Sequence, residues 1–174
     1  VVINCSSSRM SADICKAHGC ALHLSAVGEA NVTNQMTSLD AVYGGEGNGG
    51  PIDPKVGFVR DSFVAIAQVL DAMAKNGKTV SELAAGIPSY EICKTKIAID
   101  RESIQSLYER LTERFGDANK STIDGLRFDW QDKWILVRPS NTEPIVRAIA
   151  EASEKAEAEA LCEIAAELAA SLSG

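Results

Sequence analysis

The chain has 174 residues, enough for one ordinary domain or two small ones. Hydrophobic residues make up 45% and charged residues 24% of the chain, a globular balance that excludes wholesale disorder. The formal net charge of −7 argues against an electrostatic nucleic-acid binder, and no apolar run approaches the roughly 18 residues that can span a bilayer.

The first residues, Val1–Asn4, already have the pattern of a strand, and they lack an initiator Met and the features of a signal peptide. We therefore expect a segment of a longer, cytoplasmic protein that binds neither nucleic acid nor a membrane.

The five cysteines are odd in number and form no C-x-x-C pair, which predicts reduced thiols rather than a disulfide framework or a zinc site. His18 and His23 have no clustered partner in the sequence, so we interpret both as packing or surface residues.

Strand and helix signals alternate in the first part of the chain. Apolar runs at 1–5, 21–25 and 41–43 predict three strands, and helical spacing at 11–18 and 31–39 predicts helices between them. Strands and helices that alternate over such short intervals are typical of βαβ units. We therefore expect an α/β chain that begins with a partial parallel sheet.

A longer helix is predicted from Asp61 to Asn76. Asp61 or Ser62 can cap its start, and Gly77 can end it. Its apolar positions recur at helical spacing: Phe63, Ile66, Ala67, Leu70, Met73 and Ala74.

A second, short helix and then a break are predicted next. Thr79 and Glu82 match a capping box, so a helix should begin near Val80. Proline and serine in 88–93 interrupt the periodic patterns. We place a domain boundary there and expect domains at 1–90 and 91–174.

The second half of the chain has a different order of elements. Residues 93–99 alternate as a strand, and 102–115 and 153–172 have the spacing of helices. Three further strands with short connections predict an antiparallel meander at 126–130, 133–138 and 145–150. We expect a small α+β domain with a four-stranded, mainly antiparallel sheet and two helices.

A glycine-rich loop follows the third predicted strand. Gly44–Gly50 formally contains the G-x-G-x-x-G dinucleotide pattern, but Pro51 and Pro54 follow instead of a helix, which argues against NAD binding. Glu46 and Asn48 offer a carboxylate and an amide, which can pair with neighbouring hydroxyls of a sugar, and the glycines let the backbone approach a ligand. A flexible turn without a ligand is the open alternative.

A second loop, Arg138–Pro144, joins two predicted strands and has prolines near both ends, which restrict it. The polar side chains of this loop that suit a ligand are Arg138, Ser140, Asn141 and Thr142. A guanidinium, two hydroxyls and an amide suit a phosphate group. Ser140 and Glu143 also fit a capping box, but the apolar run that follows continues as a strand. Phosphate binding is therefore the favoured interpretation.

The two loops, in this order, resemble those of the α-D-phosphohexomutases, the family of phosphoglucomutase, phosphomannomutase and phosphoglucosamine mutase. Arg138–Pro144 is similar to the phosphate-binding loop of that family's fourth domain. Gly45–Gly50 is similar to the sugar-binding loop of its third domain, Val27–Glu29 to a further active-site turn, and Gly57–Ser62 to the segment that leads into the long helix. The resemblance implies most of domain three in 1–90 and domain four in 91–174.

The resemblance also implies which residues contact a phosphosugar. Glu46 and Asn48 would hold sugar hydroxyls, and Glu29 is a further sugar-binding candidate. The phosphate that is not reacting would be held by Arg138, Ser140, Asn141 and Thr142. Arg60 is an additional candidate for a contact to phosphate or to another domain, whereas Arg147 is interpreted as structural.

Two catalytic loops of the family have no counterpart in the sequence: the phosphoserine loop and the aspartate loop that holds Mg²⁺. The resemblance therefore implies that Mg²⁺ and the phosphoserine belong to N-terminal domains of the same protein, and that this segment has no catalytic residue and no metal site. Family members interconvert hexose 1- and 6-phosphates through a bisphosphate, and we expect the isolated segment to be inactive. A non-enzymatic sugar-phosphate-binding module is the alternative. Asn48 and Gly50, where other members have Ser and His, leave glucosamine, mannose and glucose phosphates open as substrates.

Overall fold

The computed structural model describes residues 1–140 and 143–172. The chain divides into two compact units, Val1–Ser89 and Tyr90–Gly174. The strands of the first unit are β1 (Val2–Asn4), β2 (His23–Ser25), β3 (Gly44–Gly45) and β4 (Pro51–Ile52). Its helices are α1 (Met10–Ala17), α2 (Glu29–Ser38), α3 (Ser62–Asn76) and α4 (Val80–Ala84).

The strands of the first unit form a sheet in the order β2-β1-β3-β4. β1 pairs in parallel with both β2 and β3, whereas β3 pairs antiparallel with β4. Helix α1 connects β1 to β2 and helix α2 connects β2 to β3, which confirms the predicted α/β class. Because these three strands are parallel, their carboxyl ends lie along the same edge of the sheet.

The third strand begins later than the 41–43 that its apolar residues predict. Asp40, with a φ of 50°, follows the end of α2, and the Ala41 N–H donates to the Met36 carbonyl at 2.9 Å. These residues close the helix, so pairing with β1 starts only at Gly44. The strand prediction was wrong here because apolar composition does not show where a helix cap ends.

Helix α3 begins and ends as predicted. The Asp61 carboxylate accepts a hydrogen bond from the Phe63 backbone N–H at 2.8 Å, and Gly77 closes the helix with a φ of 61°. None of the 15 residues of α3 is buried, and Phe63, Ile66 and Leu70 are 83%, 57% and 57% exposed. Apolar residues at this spacing normally pack against a core. The apolar face of this helix instead remains exposed.

The capping box at the start of α4 is confirmed. The Glu82 carboxylate accepts a hydrogen bond from the Thr79 backbone N–H at 2.8 Å, and the Thr79 hydroxyl accepts one from the Glu82 N–H at 3.3 Å. The hydrogen bond from the Thr79 backbone, followed by that from its hydroxyl, holds the pKa of the Glu82 carboxyl below its ordinary value.

The second unit combines a sheet with two longer helices. Its strands are β5 (Glu91–Ala98), β6 (Asn119–Ser121), β7 (Leu126–Asp129), β8 (Trp134–Pro139) and β9 (Ile145–Ala152). Its helices are α5 (Ile104–Arg114), which a 3-10 turn at Arg101–Ser103 precedes, and α6 (Lys155–Ala170). The sheet order is β5-β9-β8-β7-β6, and all the pairs are antiparallel.

This sheet has five strands among the described residues, one more than the four predicted. The additional strand is β6, whose sequence is Asn-Lys-Ser and which pairs only with β7 at the edge of the sheet. A polar edge strand has no apolar alternation, so periodicity does not reveal it.

The core of the second unit lies between one face of this sheet and the helices, and it includes Leu107 and Leu111 of α5. Of the large apolar residues at helical spacing in α6, Leu161 is buried, whereas Ile164 and Leu168 are half-buried. The buried residues of α6 are Ala158, Leu161, Cys162, Ala165 and Ala169. Short side chains on this face let the helix lie close to the sheet. Within the described ranges, no helix is both long and apolar enough to cross a bilayer.

Candidate functional site

The Glu46 carboxylate lies at the carboxyl edge of the first sheet, directly after β3. Its side chain is only 5% exposed. Oε1 accepts hydrogen bonds from Asn4 Nδ2 at 2.8 Å and from the Gly28 N–H at 2.9 Å. Oε2 lies 3.2 Å from Arg60 Nη1. Each carboxylate oxygen accepts about two hydrogen bonds, so the contacts among the described residues use both acceptor positions of Oε1 and leave one on Oε2.

Asn4, at the end of β1, is the anchor of this arrangement. Its Oδ1 accepts hydrogen bonds from the Ser6 N–H, the Ser6 hydroxyl and the Ser7 hydroxyl at 3.0, 3.0 and 2.9 Å. These three donors orient the amide so that Nδ2 donates to Glu46. Sequence reasoning did not identify Asn4 as a site residue, although a buried polar residue at the end of a parallel strand is a usable signal.

The glycine-rich loop packs tightly against this anchor. A Cβ at Gly47 would lie 2.9 Å from the Ser7 Cα and 3.1 Å from the Ser6 carbonyl oxygen, both of them backbone atoms. A larger residue at position 47 would therefore push the loop away from the turn that follows β1. The alternative of a loop that is flexible because of its glycines does not account for this close approach.

Arg60 joins the remaining predicted sugar contacts. Its Nε donates to Glu29 Oε2 at 3.0 Å, and its Nη1 donates to Asn48 Oδ1 at 2.7 Å and lies beside the Glu46 carboxylate. The structure thus brings together all four residues that the sequence proposed for the first unit. The side-chain hydrogen bond from Arg60, followed by one from its backbone N–H, holds the pKa of the Glu29 carboxyl below its ordinary value.

Gly50 makes the contact between the loop and Arg60 sterically acceptable. It has a φ of 80°, which favours glycine, and a Cβ at this position would lie 2.8 Å from the Cβ of Arg60. The absence of a side chain at position 50 therefore leaves room for Arg60 next to the loop.

The site in the first unit offers complementary hydrogen-bonding groups. Asn48 is exposed. Because its Oδ1 accepts a hydrogen bond from Arg60, its Nδ2 is the atom that can donate to a ligand. Glu46 Oε2 retains one acceptor position and contacts the same Arg60 Nη1 as Asn48 Oδ1. One donor and one acceptor on neighbouring residues can pair with two hydroxyl groups of a sugar.

The predicted phosphate loop of the second unit joins β8 to β9. The Ser140 N–H donates to the Ile145 carbonyl at 2.9 Å, and the Glu143 N–H donates to the Ser140 hydroxyl at 3.4 Å. Asn141 and Thr142, which the sequence also proposed, lie outside the described residues. A cavity of about 280 Å³ lies against the loop, and its polar lining includes Arg101, Ser140 and Glu143. Arg101 was not among the predicted contacts.

Arg138 is at the end of β8 and is mostly buried. Its Nε lies 2.9 Å from Asp124 Oδ2, and the two side chains are 16% and 17% exposed. Sequence reasoning did not identify Asp124, because its position 14 residues earlier shows no local relation to the loop. The ion pair holds the guanidinium at the base of the loop.

Arg138 belongs to a row of cations across three strands. In the register of the sheet, Arg147 lies opposite both Arg138 and Lys96. Directly opposed residues project from the same face, and like charges in such positions repel. Glu143 moderates this repulsion, since its Oε2 lies 3.8 Å from Lys96 Nζ and 3.9 Å from Arg147 Nη2. Beside a loop with hydroxyl groups, such a row favours an anion.

Among residues 1–140 and 143–172, no group of three or more His, Cys, Asp or Glu side chains is arranged to hold a metal ion.

Family models match both units. The domain described as phosphoglucomutase/phosphomannomutase, alpha/beta/alpha domain III, matches residues 1–90. The phosphoglucomutase/phosphomannomutase C-terminal domain matches residues 96–168.

Individual relatives share this similarity. A phosphoglucomutase/phosphomannomutase of Thermococcus kodakarensis is 34% identical over 97% of this chain and 37% of its own length. A phosphoglucosamine/phosphogalactosamine mutase of Sulfurisphaera tokodaii is 29% identical over 89% of this chain and 35% of its own length. The chain therefore spans about a third of the length of these curated relatives.

Solved structures share the fold at lower sequence identity. A phosphoglucomutase/phosphomannomutase family protein from Burkholderia thailandensis has a TM-score of 0.80 and 22% identity, over 99% of this chain and 37% of that one. The Aspergillus fumigatus N-acetylphosphoglucosamine mutase, in complex with GlcNAc-6P and magnesium, has a TM-score of 0.67 and 16% identity, over 96% of this chain and 38% of that one.

Proposed function

Because the chain belongs to the phosphoglucomutase/phosphomannomutase family, we propose that it is the substrate-binding C-terminal part of a phosphohexomutase. Such an enzyme interconverts a hexose 1-phosphate and a hexose 6-phosphate through a bisphosphate. In this proposal the first unit contacts the sugar and the second unit contacts a phosphate group.

The observation that carries the sugar-binding role is the placement of Glu46 and Asn48. The carboxylate is held by Asn4, Gly28 and Arg60 and retains one acceptor position on Oε2. The Asn48 amide is held by the same Arg60 Nη1 through Oδ1, which leaves Nδ2 as its donor end. A hydroxyl can both donate and accept, so two neighbouring hydroxyls can satisfy this pair. Contacts of this kind orient the sugar without taking part in phosphoryl transfer.

The second unit is proposed to hold the phosphate that is not reacting. Arg138 supplies a guanidinium at the base of the loop, and Ser140 supplies a hydroxyl at the turn. The resemblance adds Asn141 and Thr142 to these contacts. Arg147 and Lys96 raise the local positive potential on the same face of the sheet. Positioning and charge stabilisation account for most of the catalysis of phosphoryl transfer.

The phosphoryl donor and the metal are assigned to other domains of the full-length protein. In this proposal N-terminal domains supply the phosphoserine and the Mg²⁺ that neutralises charge on the transferring phosphoryl group. The residues of this chain bind and orient the substrate. The proposed substrates are phosphates of glucosamine, mannose or glucose, because the names of matched relatives include phosphoglucosamine mutase, phosphomannomutase and phosphoglucomutase.

A binding titration of the chain tests this function. In ¹H–¹⁵N NMR spectra, glucose 6-phosphate should shift backbone signals of residues 44–50 and of Arg138, Ser140, Glu143 and Ile145. Inorganic phosphate should shift only the second set, and glucose alone only the first. A chain that shows no shifts in either set at tens of millimolar ligand would not have the proposed function.

A further inference from the structure

We propose that Arg60 is the positioning residue of the sugar-binding loop, which holds Glu46 and Asn48 as a matched acceptor and donor without itself contacting the sugar. The inference rests on the proposed function and deepens it. Arg60 was a candidate for a phosphate or interdomain contact on sequence alone, and its observed contacts point to a different role.

The Arg60 guanidinium contacts three acceptors at once. Nε donates to Glu29 Oε2, and Nη1 serves both Asn48 Oδ1 and Glu46 Oε2. These donors lie in one rigid plane, so they fix the three acceptors relative to one another. The acceptors come from the first residue of α2 and from the loop after β3. One side chain thus sets the relative placement of two chain segments at the edge of the sheet.

Arg60 also sets the orientation of the Asn48 amide. Asn48 is exposed, and without a partner its amide could present either the oxygen or the nitrogen to a ligand. The 2.7 Å hydrogen bond from Arg60 Nη1 to Oδ1 selects the orientation in which Nδ2 faces away from the guanidinium. The ligand must then supply an acceptor to Asn48 and a donor to Glu46.

The positive charge of Arg60 lies beside two carboxylates. Glu29 and Glu46 both place an Oε2 atom within 3.2 Å of the same guanidinium. Without that cation the two carboxylates would repel each other. The lowered pKa of Glu29, caused chiefly by the Arg60 side-chain hydrogen bond, agrees with this pairing. Arg60 therefore supports the geometry of the loop and the ionised state of Glu29.

Two substitutions separate the effect of geometry from the effect of charge. Arg60→Met keeps the aliphatic stem but removes every donor, and Arg60→Lys keeps the charge but not the planar fork. Lys75→Met removes one positive charge at a 73% exposed position of the same unit and serves as the matched control. Arg60→Gln replaces Arg60→Met if the latter does not fold by circular dichroism.

The measurement is the dissociation constant of glucose 6-phosphate for the 174-residue chain, determined by NMR, together with that of inorganic phosphate. We expect Arg60→Met and Arg60→Lys to weaken glucose 6-phosphate binding by roughly tenfold or more. Binding of inorganic phosphate should be unchanged in both variants, and Lys75→Met should leave both constants unchanged. The Asn48 side-chain NH₂ signals should shift in the two Arg60 variants but not in the control.

Each outcome decides between the proposals. If Arg60→Lys binds glucose 6-phosphate as tightly as the unmodified chain does, the positive charge alone is sufficient and the positioning role is overturned. If Arg60→Met also weakens inorganic phosphate, Arg60 is a phosphate contact and the inference fails. If the unmodified chain does not bind glucose 6-phosphate, the proposed function fails; if it binds and Arg60→Met binds equally well, only the positioning role fails.

Discussion

Arg138 on β8 lies directly opposite Arg147 on β9, in a sheet where opposed residues project from the same face. Two arginines in this relationship destabilise a sheet unless anions accompany them. Asp124 pairs with Arg138, and Glu143 lies beside Arg147, so these two carboxylates offset part of the repulsion between the arginines. A bound phosphate would add to it.

Substitution of Arg138 tests this relationship. In the full-length protein we expect Arg138→Ala to lower kcat/KM by several-fold to 100-fold, or about 1–3 kcal/mol, the range for a hydrogen bond to a charged group. Steady-state kinetics with a hexose 1-phosphate measure the change. Lys155→Ala, at a 75% exposed position on α6, is the control and should retain activity. An Arg138→Ala enzyme with unchanged kcat/KM would remove Arg138 from the phosphate site.

The isolated chain should have no mutase activity. The proposed mechanism takes its phosphoryl group from a phosphoserine that the resemblance assigns to other domains, so binding alone cannot complete a turnover. The assay supplies glucose 1-phosphate, Mg²⁺ and glucose 1,6-bisphosphate to the purified chain and measures glucose 6-phosphate. Turnover that survives repeated purification would contradict the assignment of the phosphoryl donor.

The ion pair between Glu29 and Arg60 should depend on pH in the acid range. The folded-state pKa of Glu29 lies below its ordinary value, so this stabilisation is present above the unfolded-state pKa of about 4.3 and is lost as the pH falls through the folded-state pKa. An NMR titration of the Glu29 carboxyl carbon measures the midpoint. Arg60→Met should raise that midpoint toward the ordinary value, and an unchanged midpoint would contradict the pairing.

Burial predicts a clear contrast in stability within the first unit. Met36 of α2 is fully buried, so Met36→Ala should cost about 2–5 kcal/mol of unfolding free energy. Leu70 of α3 is 57% exposed, so Leu70→Ala should change it by less than about 0.5 kcal/mol. Urea denaturation followed by circular dichroism compares the two. A loss at Leu70 as large as that at Met36 would mean that α3 is packed in solution.

The cysteines should differ strongly in reactivity toward iodoacetamide. Burial, followed by the neighbouring Cys93, raises the pKa of the Cys162 thiol to about 12, and only the thiolate reacts. Cys20 is exposed. At pH 8, peptide mapping by mass spectrometry should find Cys20 labelled long before Cys162. In urea the two rates should converge, and equal rates in the folded chain would contradict the burial of Cys162.

Local signals in the sequence were sufficient for most helices and strands. The Asp61 cap and the capping box of Thr79 and Glu82 depend on hydrogen bonds across two or three residues, so the sequence contains all the information they need. The alternation at 93–99 likewise predicts β5, because one face of the strand meets the core. Edge strand β6 has no such face, and its pairing with β7 follows only from the tertiary register.

For the proposed site, too, most of the residues could be named from the sequence, but their contacts could not. The sequence by itself proposed Glu29, Glu46, Asn48 and Arg60 from their residue types and their resemblance to a family, but as separate positions. Only the tertiary structure placed one guanidinium among the other three, and it added Asn4, which is 42 positions from Glu46. The physical reason is that parallel strands bring their carboxyl ends to one edge of a sheet. Contacts made there join residues that have no local relationship in the chain.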